Sequence, residues 1–217
     1  CIGCNQGCAD MLAQSLAISC LTNPRAGKEA DWPAPFLQST KVKKPVLVVG
    51  GGPAGMEASG ILAERGFSVT LADCHSVLGG TLNWLEKMPL RQEFLKLKKR
   101  QMRRLEQHKV SLELECKVGD DMLEKHQDSH IIWAAGAQAQ AQTLSSGGVA
   151  LTLEQALTEP EKLGKKVLMV DHLGTWAVVS VAEFLADIGK QVSLIVPTGI
   201  AGWKISIYSS FALKLRL

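Results

Sequence analysis

The sequence predicts an α/β fold with a parallel β-sheet, divided into two lobes and preceded by a short cysteine-rich segment. Two observations support this prediction. An apolar run, a helix-length segment and a second apolar run occur in that order twice, and four of the six cysteines lie within the first twenty residues. The first pattern is "PVLVVG", "PAGMEASGILAERG" and "FSVTLAD", and the second is "KKVLMVD", "TWAVVSVAEFLADIG" and "KQVSLIVP". Each is typical of a β-α-β unit, whose two strands lie parallel in one sheet.

Composition narrows the class of protein. With 217 residues, of which 46% are hydrophobic, the chain can bury a sizeable core. A net charge of +3 and an aromatic content of 5% predict no nucleic-acid partner. Neither a membrane-spanning run nor a secretory signal is visible, so we expect no membrane association and a cytoplasmic location. The chain starts at Cys1 and stops within the apolar-periodic "SSFALKLRL", so we expect a fragment of a longer protein.

The remaining segments complete the two lobes. The helix of the first unit is expected to end at Gly66, and a polar helix is expected from Arg91 to Gln107. Apolar strands follow at "VSLELE" and "HIIWAAG", and "QAQAQTLSSGG" is typical of a connector. We therefore predict three parts: residues 1–40 are the cysteine segment and its linker, 41–145 the first lobe, and 146–217 a truncated second lobe.

The glycine-rich stretch "VVGGGPAG" follows a strand and opens a helix, which is the setting of a dinucleotide-binding loop. Gly50 permits the tight turn, Gly52 lets the backbone approach a pyrophosphate, and Gly55 allows close packing of helix on strand. The N–H groups at the helix N-terminus favour phosphate. Asp73, at the end of the next strand, is placed to bind a ribose diol. The loop does not distinguish FAD from NAD, and a packing turn in a nucleotide-free domain is the alternative.

The first four cysteines have the spacing C-x2-C-x3-C-x11-C. Disulfides are disfavoured in a reducing compartment, which leaves zinc or an iron–sulfur cluster. Structural zinc usually takes two separated pairs of ligands, whereas here three thiols share one loop, and this asymmetry favours a cluster. Small and polar residues between the cysteines allow backbone N–H groups to reach the sulfurs. Cys74 and Cys116 are interpreted as small core residues.

The stretches "CIGCNQGC", "SCLTNPRAGKE", "VLVVGGGPAGMEAS" and "VTLADCHSVLGG" together resemble the iron–sulfur flavoprotein family of bacterial 2,4-dienoyl-CoA reductase and the trimethylamine and dimethylamine dehydrogenases. Such proteins carry a flavin mononucleotide (FMN) barrel, then a [4Fe-4S] segment, then an FAD- or ADP-binding domain interrupted by an NAD(P)H domain. The resemblance implies that this chain is the middle of such a protein, without the barrel and without the closing FAD segment.

Individual positions can be carried over from this resemblance. It implies that the cluster ligands are Cys1, Cys4, Cys8 and Cys20. It also implies that the FAD- or ADP-binding positions are Gly50, Gly52, Ala54, Gly55, Asp73, Gly80, Thr81, Arg91 and Val118. "IIWAAGAQ" resembles a turn near the end of the first FAD segment, but Ala135 stands where the family usually has threonine, so it is not included.

The second lobe departs from the reductases of the family. Its loop is "DHLGTWAV", with Asp171 where the first glycine would stand and only Gly174 remaining. A carboxylate there would repel a pyrophosphate, and no acidic residue ends "QVSLIVP" to bind a ribose. NAD(P)H binding is therefore disfavoured. The loop is more similar to the amine dehydrogenase branch, in which electrons leave to a protein acceptor such as an electron-transfer flavoprotein.

The predicted function is the electron-transfer portion of an oxidoreductase. Electrons would pass between the cluster, FAD and a flavin in the absent barrel, where a small-molecule substrate would bind, and no catalytic residue is assigned. Both an amine or N-methyl dehydrogenase and an enoate or dienoyl-CoA reductase fit. Two alternatives stay open: a zinc-stapled, nucleotide-binding interaction module without redox activity, and a small subunit like that of glutamate synthase, which would carry two sets of cluster cysteines.

Overall fold

A computed structural model describes residues 1–32, 44–148 and 150–216. Within these ranges the chain is mixed α/β with two parallel sheets, one of four strands and one of two, so the predicted fold class is confirmed. The predicted boundary between residues 40 and 41 lies outside the described ranges. The described part contains no helix long and apolar enough to cross a membrane.

The N-terminal segment, residues 1–32, is built mainly of turns and contains one short helix, α1 (Ala9–Ala13), between the third and fourth cysteines. Two glycines let its turns pack closely. A side chain at Gly7 would meet the backbone of Ser19, and one at Gly27 would meet the carbonyl oxygen of Ile18. The two close contacts fold the second half of the segment back on the first.

The first lobe contains the four-stranded sheet. Its strands are β1 (Val46–Val49), β2 (Val69–Ala72), β3 (Ser111–Glu113) and β4 (His130–Trp133), in the spatial order β3-β2-β1-β4. Its helices are α2 (Pro53–Glu64), α3 (Leu95–Gln107) and α4 (Asp120–Lys125). All four residues of β1 are buried, because this central strand is covered on both faces. The order places β1 and β2 side by side, so their carboxyl ends lie next to each other.

Helices α2 and α3 cover one face of this sheet. Their apolar contact centres on Met56, Leu71 and Leu105. Arg104 ties the two helices together, because its guanidinium donates to Glu57 and Glu64. On the other face, α4 packs against the apolar side chains of β1 and β2. Arg104 of α3 thus has a structural role in the contact between the two helices.

The second lobe contains α5 (Leu153–Thr158), β5 (Lys166–Val170), α6 (Trp176–Asp187), β6 (Gln191–Ile195) and α7 (Ile207–Lys214). Strands β5 and β6 pair in parallel, as the repeated pattern predicts. Met88, which follows the first lobe's 3-10 helix (Gly80–Glu86), is buried in the core formed by α5, α6 and β5. The two lobes therefore share apolar packing.

Among the described residues, five helical elements were not predicted: α1, the 3-10 helices Gly80–Glu86 and Pro160–Lys162, α4 and α5. A signal for α5 was present, because Thr152 and Gln155 form a reciprocal capping box in the sequence pattern T-x-x-Q. The predicted polar helix begins at Leu95 instead of Arg91, after a separate 3-10 turn (Gln92–Phe94). Such 3-10 turns are frequent at the ends of α-helices, and the apolar periodicity of a sequence does not distinguish them from the helix.

Candidate dinucleotide site and cysteine segment

The glycine loop connects the end of β1 to the start of α2. Gly50 has a φ of 107°, a conformation that L side chains rarely adopt, and a Cβ there would overlap the carbonyl oxygen of Ala134 at the end of β4. A Cβ at Gly55 would overlap the carbonyl oxygen of Gly50 itself. Both positions therefore require glycine for the backbone to close, and the turn leads directly into the helix.

The N-terminus of α2 is open toward solvent. Gly52 is its N-cap and provides no side chain to bind the first-turn N–H groups. A Cβ placed on Gly52 would meet no heavy atom within 4 Å among the described residues, so free space lies in front of the loop. Ala54, in the first turn, is exposed. First-turn N–H groups without a side-chain cap, the positive end of a helix dipole and open space together suit a phosphate.

Asp73 follows β2 and is bound to the glycine loop. Its Oδ2 accepts a hydrogen bond from the Gly51 N–H at 2.5 Å. Its Oδ1 accepts from the backbone N–H of His75 at 2.8 Å and lies 2.9 Å from that residue's Nδ1. A carboxylate offers about four lone-pair directions, so the geometry leaves room for one more donor, such as a ribose hydroxyl.

The same contacts set the charge of Asp73. Its side chain is 11% exposed, and burial by itself would raise the pKa of the carboxyl. The hydrogen bonds from Gly51 and His75 outweigh burial and lower the pKa below its ordinary value. Asp73 is therefore ionised at neutral pH and is a strong acceptor. Sequence analysis assigned no role to His75, whose contact with Asp73 depends on the turn after β2.

The glycine pair after β2 folds back onto this loop. The Gly79 N–H donates to the carbonyl oxygen of Gly51 at 2.8 Å, and a Cβ on Gly80 would lie 3.1 Å from the Cα of Gly52. Thr81 is the next residue and is exposed. The structure thus brings the predicted residues of both glycine stretches to one edge of the sheet, beside the start of α2.

Two predicted nucleotide-binding residues lie in other surroundings. The Arg91 guanidinium stacks on the ring of Trp176 in the second lobe, 3.4 Å from its centroid, and Arg91 Nε lies 3.3 Å from Ser180 Oγ. Burial lowers the pKa of Arg91, although the Glu183 carboxylate opposes the shift. Val118 packs beside the apolar cluster between the sheet and α4. The nucleotide-binding roles of Arg91 and Val118 stay predictions.

The cysteine segment brings the backbone before Cys8 against the backbone before Cys20. The Ser19 N–H donates to the carbonyl oxygen of Gly7 at 2.6 Å. Near the start of the chain, the Gly3 N–H donates to Cys1 Sγ at 3.3 Å. These contacts provide a folded loop with an N–H group aimed at a sulfur, which a thiolate-bound centre requires.

Cys20 has an additional partner. Its Sγ lies 3.4 Å from the hydroxyl oxygen of Thr22, a buried side chain. Hydrogen bonds from the Thr22 hydroxyl and from the backbone N–H groups of Thr22 and Asn23 lower the pKa of the Cys20 thiol. A lowered pKa favours the thiolate, the form that binds metals.

The structure does not gather the four N-terminal sulfurs at one point. Over the described residues, the one group of three or more potential ligand atoms within 4.8 Å of one another is Asp73, Cys74 and His75. No three of the four N-terminal thiols are that close together. The ligand roles of Cys1, Cys4, Cys8 and Cys20 therefore stay predictions, and so does the metal that they would bind.

Comparison with known proteins finds similarity to oxidoreductases. Residues 33–161 match the family model described as pyridine nucleotide-disulphide oxidoreductase. The chain is 30% identical over 207 residues to an N,N-dimethylglycine/sarcosine dehydrogenase of Chromohalobacter salexigens, a match that covers 90% of this chain and 29% of that protein. It is 26% identical over 224 residues to a dimethylamine dehydrogenase of Hyphomicrobium sp. (strain x), which covers 94% of this chain and 30% of the relative.

A solved structure extends the comparison to the whole fold. A 2-naphthoyl-CoA reductase superposes on all of this chain with a TM-score of 0.89 and 26% sequence identity, and the match covers 33% of that protein. The chain therefore spans about a third, or slightly less, of the length of these three proteins.

Proposed function

Since the chain belongs to the pyridine nucleotide-disulphide oxidoreductase family, we propose that it is the electron-transfer portion of an iron–sulfur flavoprotein. The matched proteins include amine dehydrogenases and a CoA-thioester reductase, which confirms the predicted resemblance and the predicted class, an oxidoreductase with a Rossmann-like fold. The family supports FAD binding; the cluster, the FMN barrel and the substrate belong to the proposal.

One observation carries the nucleotide site of the proposal: the hydrogen bond from Gly51 to Asp73, beside the open N-terminus of α2. The first-turn N–H groups would bind the pyrophosphate of FAD or ADP, and the ionised Asp73 would accept from the ribose hydroxyls. Gly80 and Thr81 would border the same pyrophosphate, since the glycine pair lies against the loop. Bound FAD would supply a carrier that exchanges two electrons or one.

The cysteine segment would hold the second carrier. We assign Cys1, Cys4, Cys8 and Cys20 as ligands of a [4Fe-4S] cluster, because three of them share one loop in the C-x2-C-x3-C-x11-C spacing and because hydrogen-bond donors lie near Cys1 and Cys20. The chain's own contribution is to favour the thiolate of Cys20 and to direct an N–H group at Cys1 Sγ and a hydroxyl group at Cys20 Sγ.

We further propose that substrate chemistry takes place at a flavin in an FMN barrel of the full-length protein. The candidates are oxidation of an amine or N-methyl group and reduction of an enoate or dienoyl-CoA. An electron-transfer flavoprotein is the proposed acceptor in the first case. No side chain of this chain is assigned a role as acid, base or nucleophile.

The assignment can be tested by analysis of the anaerobically purified full-length protein. We expect about four iron and four sulfide per chain, a brown colour, and one FAD or ADP. Cys8→Ser should lose most of the iron and sulfide. The matched change Cys74→Ser should retain both, because Cys74 lies outside the segment; it is exposed, so its interpretation as a core residue was wrong. Stoichiometric zinc with no sulfide would contradict the cluster and favour the zinc-stapled alternative.

A further inference from the structure

The loop of the second lobe has none of the glycines that shape the loop of the first lobe. Counted from the ends of β1 and β5, the positions of Gly50, Gly52 and Gly55 correspond to Asp171, Leu173 and Trp176. The third of these pairs, Gly55 and Trp176, determines how closely the helix can approach the end of the strand. A Cβ at Gly55 would overlap a backbone oxygen, whereas Trp176 brings a whole indole, and α6 begins only at that residue. The loop of the second lobe is therefore longer: residues 171–175 separate β5 from α6, whereas residues 50–52 separate β1 from α2.

The side-chain carboxylate of Asp171 lies inside this longer loop. Asp171 is 1% exposed, and its Oδ1 accepts hydrogen bonds from the N–H groups of Leu173 at 2.8 Å and Gly174 at 2.9 Å. Its own N–H donates to the carbonyl oxygen of Ile195 on the neighbouring strand at 2.9 Å. Successive N–H groups after a parallel strand are the groups that bind phosphate in a dinucleotide loop. Here a side chain of the same loop already binds them.

Aromatic side chains close the loop from outside. The ring of Trp203 lies directly against Gly174, because a Cβ on this glycine would overlap the indole. The Lys204 N–H donates to the Gly174 carbonyl oxygen at 2.9 Å and holds this segment in place. The ring of Trp176 is itself covered by Arg91. The loop is thus occupied by an anion and bordered by side chains.

We propose that Asp171 is a built-in anion that occupies the phosphate-binding N–H groups of the second lobe, so that this lobe binds no NAD(P)H. A pyrophosphate would have to displace a buried carboxylate from two charge-assisted hydrogen bonds and would be repelled by its charge. The inference rests on the family assignment and on none of the cluster or FAD contacts. Its consequence is that electrons do not enter through this lobe from a nicotinamide.

The direct experiment is anion rescue in the full-length protein. Asp171→Ala leaves two N–H groups without an acceptor, so pyrophosphate should raise the melting temperature of this variant by roughly 2–4 °C. Wild type and Asp187→Ala, a change at an exposed residue of the same lobe, should show no rise beyond that of sodium chloride at equal ionic strength. Equal shifts in all three proteins, or no shift in a folded Asp171→Ala variant, would overturn the proposal.

A second measurement does not depend on the folding of that variant. Wild-type protein saturated with FAD is titrated with NADPH and with NADH by calorimetry. We expect no saturable binding up to about 1 mM, the range of weak cofactor affinities. Binding of one NAD(P)H per chain in the presence of saturating FAD would refute the closed loop. Loss of FAD binding itself would instead contradict the proposed function, so the two failures are distinguishable.

Discussion

The Gly51 N–H and the Asp73 carboxylate are joined by a hydrogen bond of 2.5 Å, which connects the glycine loop to the end of the neighbouring strand. The bond aligns the two parts of the predicted nucleotide site before any nucleotide is bound. It also explains why a largely buried carboxylate is ionised: the donor is fixed by the turn that Gly50 makes possible. Five predictions concern this site, its surroundings and the cysteine segment.

Replacing Asp73 should weaken nucleotide binding. Asp73→Asn removes the charged acceptor for the ribose hydroxyls, and hydrogen bonds to charged groups contribute about 1.5–3 kcal/mol, so FAD affinity should fall roughly 10–100-fold. Fluorescence titration of the deflavinated full-length protein measures this affinity. Asp128→Asn, at an exposed residue, is the matched control and should bind FAD as wild type does. Unchanged affinity in Asp73→Asn would remove Asp73 from the site.

The loss of stability caused by Asp73→Asn should depend on pH. The unfolded Asp73 carboxyl is protonated near the ordinary value of about pH 4, and the folded one only at lower pH, so its hydrogen bonds stabilise the fold above about pH 4. This stabilisation is lost as the pH falls through the lowered pKa. Urea unfolding should show a wild-type advantage over Asp73→Asn at pH 7 that shrinks toward pH 3. An advantage that grows at acid pH would reverse the assigned sign.

Two glycines of the loop should respond differently to alanine. In Gly55→Ala the new methyl group overlaps a backbone oxygen, so stability should fall by about 1–3 kcal/mol. In Gly52→Ala the methyl group meets no described atom within 4 Å, so the fold should lose at most about 1 kcal/mol. Gly52→Ala should nevertheless bind FAD at least tenfold more weakly, because the methyl group enters the space proposed for the pyrophosphate. Normal FAD affinity in this variant would place the phosphates elsewhere.

Thr22 should tune the proposed cluster through its contact with Cys20. Thr22→Val keeps the shape of the side chain and removes the hydroxyl group that lies 3.4 Å from Sγ. Hydrogen bonds to cluster sulfurs raise the reduction potential, so the potential should fall on the order of tens of millivolts while the iron content is retained. Thr22→Ser should keep the wild-type potential in an anaerobic redox titration. Equal potentials in all three proteins would show that the hydroxyl does not act on the cluster.

Arg91 should stabilise the contact between the lobes. Arg91→Ala removes the stacking on Trp176 and the bond to Ser180, so the free energy of unfolding should fall by about 1–2 kcal/mol. The FAD affinity of the same variant tests its nucleotide-binding role separately. Arg100→Ala, at an exposed residue of α3, is the control. A tenfold loss of FAD affinity without loss of stability would instead support the nucleotide-binding role that the resemblance implies.

Much of the first lobe could be predicted because its signals are local. The strands around Val46 and Val69 are short apolar runs, and the helix between them ends at Glu64, two residues before Gly66, which has a φ of 87°. One β-α-β unit links the glycine loop to Asp73, so sequence spacing alone brings them to the same edge of the sheet. The capping box at Thr152 was an equally local signal for α5 that the sequence analysis did not use.

Other features depend on contacts between distant parts of the chain. Arg91 and Trp176 meet only because the lobes pack together, and no periodicity relates them. The sequence by itself determined the α/β class, the glycine loop, the position of Asp73 and the grouping of four cysteines, because residue type and short-range spacing specify them. Only the tertiary structure decided that Asp171, which the sequence identified as a departure, binds the N–H groups of its own loop. Hydrogen bonds form where the folded backbone places donor and acceptor, and sequence order does not fix that placement.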